Sequence, residues 1–236
     1  QRIPEAMQKA VDDGQISGAV TLVAKQGRLV HLEAVGYADV EAKRPMQTDA
    51  LFEIASMTKP VSATAVMILQ DEGKLSVDDP ASKYLPSFEN VALADGPPFR
   101  PITIRDLMTH TSGIGGSQRT ETTLEATVAM IAKAPLDFQP GARWQYSPGL
   151  NVCGRIVEVV SGRSFDAFLR RRIFEPLKMR DTHYYLPPAK RERLAVVYSA
   201  AEAGGLERAP DPGGMVGQGA YVDGPRKSYS GGAGLL

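Results

Sequence analysis

The chain has 236 residues, 43% hydrophobic and 23% charged, and its 27 Lys and Arg balance 27 Asp and Glu. That length can bury a full core and admits one large or two small domains. Zero net charge without a long charge block argues against a nucleic-acid partner, and no apolar run approaches the ~18 residues of a membrane span. A small molecule is the expected partner.

The elements follow in chain order. Apolar residues at helical spacing (Ile3, Met7, Ala10, Val11) predict an N-terminal helix that Asp12-Asp13-Gly14 ends. Gly18 to Lys25, a Gln26-Gly27 turn and Arg28 to Gly36 predict a β-hairpin, with His31 on a strand face. Leu51 to Ala55 reads as a strand leading into Ser56, and Val61 to Leu69 as a buried helix stopped at Gly73. Pro60 is tolerable only in a first turn, so this helix must start close to Ser56. Asp79-Pro80 reads as N-cap and first helical residue.

Thr103-Ile104-Arg105-Asp106 is a capping-box pattern opening a short helix to Thr109. Glu121 to Lys133 predicts a further helix, Arg143 to Tyr146 a short extended segment, and Leu150 to Val160 a helix ended by Gly162. Ser164 caps a helix over Phe165 to Phe174, whose arginines suit its C-terminal end. Strands are expected at Leu194 to Ser199 and Ala220 to Val222, separated by a Gly/Pro-rich stretch from Gly204 to Gly219. This order predicts an α+β fold. Residues 1–55 and 190–236 form its sheet region, 56–189 a mainly helical region, and Ser56 lies at the seam.

Two sites can carry chemistry. Ser56-Met57-Thr58-Lys59 is a Ser-x-x-Lys at a strand-to-helix junction. On a helix, positions i and i+3 share a face. The lysine can then take or relay the serine's proton, while the helix N-terminus favours a developing oxyanion. The plain alternative is a serine that merely caps the helix. The second site is Tyr146-Ser147-Pro148, 90 residues after Ser56. A tyrosine beside a lysine cation has its pKa drawn below ~10 and could accept the serine proton. The alternative is a half-buried tyrosine hydrogen-bonded through its hydroxyl.

Other candidates fare less well. The one cysteine, Cys153, excludes an internal disulfide and a cysteine metal cluster, and its apolar helical surroundings predict an inert buried thiol. His31, His110 and His183 form no His-x-x-x-His pair, so no metal is expected. Gly-x-Ser-x-Gly does not occur, which removes support for an α/β-hydrolase elbow.

Several blocks together resemble one family. They include Leu51 to Pro60 around Ser56, Glu72 to Pro80, Tyr84-Leu85-Pro86, Ile102 to Ile114 with its His110-Thr111-Ser112-Gly113, Pro140-Gly141 ahead of Tyr146-Ser147, and Phe174 to Met179. In this order they resemble the serine hydrolases of the class C β-lactamase type, which include penicillin-binding carboxypeptidases and family VIII carboxylesterases. The resemblance implies a β-lactamase/transpeptidase-like fold, an antiparallel sheet flanked by helices. It implies Ser56 as the acylated nucleophile, Lys59 and Tyr146 as its proton-handling partners, and Ser147 and Pro148 as substrate contacts. His110 falls in a block of mainly structural use. No cofactor is implied.

Two departures shape the expectation. The third position of the second motif, usually asparagine in β-lactamases, is Pro148, which has no side-chain donor and favours the esterase branch. The family's third motif, Lys-Thr-Gly or a relative, is not found between Gly204 and Leu236, so the chain reads as an N-terminal portion of the catalytic unit. The expected activity is cleavage of a small carboxylic ester through an acyl-enzyme on Ser56. The alternatives are a β-lactamase or D-alanyl-D-alanine carboxypeptidase, and a catalytically silent binding protein. Compartment and oligomeric state stay open.

Overall fold

The computed structural model describes residues 2–116, 122–210 and 226–236. Among these, one compact unit holds residues 2–53, 185–210 and 236, and a second holds 54–184 and 226–235.

In the first unit, α1 (Arg2–Asp12) precedes the antiparallel hairpin of β1 (Gly18–Lys25) and β2 (Arg28–Asp39). Gln26 and Gly27 both have positive φ, 50° and 73°, the backbone of a two-residue turn that matches strand twist. His31 pairs across from Val23, and its Nε2 lies 2.7 Å from Thr21 Oγ1 on the neighbouring strand. The short β3 (Arg44–Pro45) continues this sheet beside β2. Ala38, Met46 and Ala195 form one small core, and Leu51, Leu186 and Leu236 another.

The strand expected at Leu51 to Ala55 is reduced to a single bridge, Leu51 to Leu194. Ala55 has φ +42° and turns the chain out of extended geometry before a ladder can form. The strand expected at Leu194 to Ser199 is β4 (Tyr198–Ala200), while Ala195 and Val196 donate single backbone bonds to Leu51 and Ala38. Its partner β5 (Leu206–Arg208) lies inside the stretch read as a separator, because Gly204 and Gly205 at φ 89° and 82° make the turn between the two. The strand expected at Ala220 to Val222 lies outside the described residues.

The second unit is built on α2 (Thr58–Asp71), which buries Thr58, Ser62, Ala65, Val66 and Leu69. With it are α3 (Ile104–Thr109), α4 (Leu124–Ile131), α5 (Gly149–Ser161) and α6 (Phe165–Leu169), the last running on as a π-helical turn over Arg170–Phe174. Helix α5 packs against α2, α3 and α4. Its Leu150, Val152, Cys153, Ile156 and Val157 are all buried, and full burial of such an aliphatic side chain stabilises by about 1.5–3 kcal/mol. Only glycine permits the close approach of α5 to α3: a β-carbon on Gly149 would strike the Leu107 carbonyl oxygen. Asp79 and Pro80 sit one residue ahead of their expected positions, since Pro80 is extended and caps a 3-10 turn over Ala81–Lys83. No helix among the described residues is long and apolar enough to cross a membrane.

Candidate active site

Ser56 lies in the 3-10 turn Ala55–Met57, which feeds directly into α2. The left-handed φ of Ala55 stores strain of order 1–3 kcal/mol immediately before it. Ser56 is not the cap of this helix. The cap positions are Ile54 and Met57, neither with a side-chain cap bond, and the Ser56 hydroxyl is engaged elsewhere. Lys59 Nζ donates to Ser56 Oγ at 3.0 Å and the Tyr146 hydroxyl donates to the same atom at 2.6 Å. Pro60 stands at the third position of α2, where no helical N–H is required of it.

Lys59 has two further contacts. Its Nζ donates to the Gly232 carbonyl at 2.7 Å and sits 4.5 Å from the centroid of the Tyr146 ring. An ammonium carries three donors and no acceptor, so a serine hydroxyl, a carbonyl and an aromatic face suit its charged form. Burial pushes the Tyr146 phenol up, but the hydrogen bonds of Lys59 and Ser56 and the lysine's charge outweigh it, and its pKa falls below 10.0.

Tyr146 itself is held from below. His110 is the left-handed C-cap of α3, at φ 61°. Its carbonyl accepts the Gln145 N–H at 2.9 Å, and its Nδ1 lies 3.2 Å from both the amide nitrogen and the hydroxyl of Ser147. The His110 ring packs against the Tyr146 ring at 4.7 Å between centroids, and Trp144 meets it edge-on at 6.0 Å. Burial, aided by the Lys59 charge, holds His110 below its ordinary 6.5. Ser147 is buried beside it, and Pro148 is the residue from which α5 starts.

The residues singled out in sequence thus divide. Ser56, Lys59 and Tyr146 converge on one hydroxyl, although Tyr146 is far from the others in the chain. Ser147 is turned to His110, and Pro148 makes the entry to a helix.

Sequence reasoning missed a third part of the site. The C-terminal run Ser230 to Leu235 threads beside α2 and α5. Ser62 Oγ donates to the Gly231 carbonyl at 2.6 Å, and Asn151 Oδ1 accepts from Ser230 Oγ at 2.8 Å and from the Gly232 N–H at 3.1 Å. The Leu235 N–H donates to Thr58 Oγ1 at 3.1 Å. These bonds aim the Gly232 carbonyl at Lys59. A β-carbon on Gly231 would collide with the Leu150 carbonyl oxygen, so glycine is required there. A signal existed: Ser62 and Asn151 are polar residues inside apolar helical runs, and a buried polar group must find a partner. Among the described residues no group of three or more His, Cys, Asp or Glu side chains could hold a metal ion.

A family model described as Beta-lactamase matches residues 3–236. The chain belongs to the beta-lactamase family. It is 38% identical over 216 residues to Esterase EstB of Burkholderia gladioli, covering 84% of this chain and 54% of that one. It is 31% identical to Penicillin-binding protein 4* of Bacillus subtilis, covering 76% of this chain and 40% of the other. The solved structure of EstCE1, described as a hydrolase with promiscuous acyltransferase activity, superposes with TM-score 0.87 at 31% identity, over 99% of this chain and 68% of its own. The fold is therefore the α+β, β-lactamase/transpeptidase-like one. The chain spans about half the length of the curated relatives it matches, 54% for EstB.

Proposed function

We propose that this member of the beta-lactamase family is a serine hydrolase that cleaves carboxylic esters through an acyl-enzyme on Ser56. The observation that carries the reading is the convergence of Lys59 Nζ and the Tyr146 hydroxyl on Ser56 Oγ, at 3.0 and 2.6 Å. Lys59, whose Nζ is held by the Gly232 carbonyl, and Tyr146 act as one coupled base. The Ser56 proton passes to this pair as Oγ attacks the ester carbonyl. The pair then returns that proton to the leaving alkoxide, which departs as the alcohol. Water, deprotonated by the same pair, releases the acid, and the proton goes back to Ser56 Oγ to restore the serine. No step needs a metal or organic cofactor.

Esters rather than lactams are favoured by Pro148, which offers no side-chain donor to a substrate amide, and by the esterase names of EstB and EstCE1's hydrolase description. The substrate is a small molecule, its acyl carbonyl delivered to Ser56. The likeness to Penicillin-binding protein 4* keeps a lactam or D-alanyl peptide as the second reading.

Intact mass after incubation with a fluorophosphonate tests the nucleophile. One adduct on the protein, absent from Ser56→Ala, is expected. No adduct on either would sink the hydrolase reading and favour a silent binding protein. Turnover of p-nitrophenyl esters without turnover of nitrocefin separates ester from lactam cleavage, and the reverse pattern would overturn the preference.

A further inference from the structure

His110 stands beside the proposed base without touching Ser56, and contacts of its carbonyl, its Nδ1 and its ring bear on one tripeptide. Its carbonyl accepts the Gln145 N–H at 2.9 Å. Its Nδ1 lies 3.2 Å from both the Ser147 amide nitrogen and the Ser147 hydroxyl. Its ring lies against the ring of the residue between them, Tyr146, tilted by 32° at 4.7 Å. A backbone amide can only donate, so Nδ1 must present its lone pair, which leaves the ring proton of the neutral imidazole on Nε2. We propose that His110 is a positioning residue whose neutral imidazole clamps Gln145–Ser147 and so sets the approach of the Tyr146 hydroxyl to Ser56, and that protonating Nδ1 releases the clamp. This rests on the reading of Tyr146 as part of the base.

The consequence of protonation follows from the same contacts. A proton on Nδ1 converts the acceptor into a donor, so two N–H groups face each other at the Ser147 amide and the Nδ1 bond passes to the Ser147 hydroxyl oxygen, which accepts. The new charge also faces Lys59 of α2, whose cation already disfavours it. The ionisable Tyr146 lies against the ring at 4.7 Å with its hydroxyl on Ser56 Oγ, and the other ionisable groups nearby are committed elsewhere. Asp106, one turn back on α3, is tied to Arg100, and Asp137 bonds the Gln145 side chain. No carboxylate contact to the His110 ring is present among the described residues to stabilise its charged form. Helix α3 holds the ring in place, since His110 closes that helix in a left-handed conformation with its N–H on Asp106.

Asparagine is the informative replacement. It tolerates left-handed φ better than other residues with a β-carbon, its Oδ1 can accept the Ser147 N–H where Nδ1 did, and it does not titrate. Alanine removes the acceptor.

The test is the pH dependence of kcat/KM with a p-nitrophenyl ester, for the wild type and for His110→Asn, His110→Ala and Tyr146→Phe. In the wild type, loss of the proton-accepting pair gives a slope of one on the acid side of a logarithmic plot, and His110 protonation, which falls below the ordinary 6.5 of a histidine, steepens it towards two in that more acid range. His110→Asn should hold a slope of one throughout and recover most of the kcat that His110→Ala loses. His110→Ala should lower kcat by about 10²-fold, as expected for a small misplacement of a reacting group, with KM little changed. If Tyr146→Phe is inactive while His110→Asn keeps the wild-type steepening, the clamp is wrong and the base reading stands. If Tyr146→Phe is as active as the wild type, both fall.

Discussion

At the scale of single residues, Tyr146 is the most exposed to test. It is 51% solvent-exposed, yet its hydroxyl makes the shortest contact to Ser56 Oγ. As part of the proposed base it should contribute catalysis and little binding. Tyr146→Phe, which keeps the ring over Lys59 and against His110, is expected to lower kcat by about 10²–10⁴-fold while leaving KM nearly unchanged. Steady-state kinetics would show it, and a change confined to KM would assign Tyr146 to binding instead. Cys153 is the opposite kind of residue. Complete burial pushes its thiol up to about 12, so no thiolate exists at neutral pH. Ellman's reagent should leave the folded protein unlabelled and react only after denaturation. Rapid labelling in the native state would contradict the burial.

At the scale of elements, α3 carries the His110 clamp and depends on its own N-terminus. Thr103 Oγ1 accepts the Asp106 N–H at 3.2 Å, and Asp106 Oδ2 accepts the Thr103 N–H at 2.9 Å, a reciprocal capping box. Thr103→Ala should lower stability by about 1 kcal/mol, read as a shift of the urea midpoint at unchanged m-value. Asp106 is buried, which raises its pKa, but the Arg100 fork and the Thr103 amide and hydroxyl outweigh this and hold it below 3.8. A carboxylate with a depressed folded pKa stabilises fully above its unfolded value and loses that contribution as pH falls. Asp106 should therefore support the fold above pH ~4 and release it progressively below. Asp106→Asn should be less stable than the wild type at neutral pH, with the gap closing in acid. A gap that stays constant from pH 7 to pH 2 would place the effect in packing rather than charge.

At the scale of the whole molecule, the site needs chain segments that sequence order keeps far apart. The Gly232 carbonyl reaches Lys59 across 173 residues, and Ser62 and Asn151 fasten the run that carries it. Gly231→Ala forces a β-carbon against the Leu150 carbonyl of α5. Overpacking of this kind typically destabilises by about 1–3 kcal/mol. The displaced carbonyl should also weaken the hold on Lys59, so fluorophosphonate labelling of Ser56 should slow together with the fall in Tm. A variant that loses stability but labels at the wild-type rate would show that the Gly232 contact is dispensable.

What could be read without coordinates was local. The hairpin announced itself by alternation around Gln26-Gly27, α3 by its capping box, the C-terminus of α5 by Gly162, and the Ser56–Lys59 pair by the i, i+3 geometry of a helix start. Each depends on interactions within a few residues of the chain. The weak points were equally physical. Strands depend on partners distant in sequence, so the run at Leu51 to Ala55 read as a strand although only Leu51 is bridged. The segment Leu206–Arg208 was hidden by the glycines that make its turn. Ser56, Lys59 and Tyr146 could be named from pattern and resemblance, because the residue types and their spacing survive in one dimension. Only the tertiary structure decided that Tyr146 Oη meets Ser56 Oγ, that His110 lies beneath it, and that the glycine run at 231–232 closes on Lys59. Those contacts arise where helices and loops pack, and a hydrogen bond between residues 90 or 173 apart has no local signature.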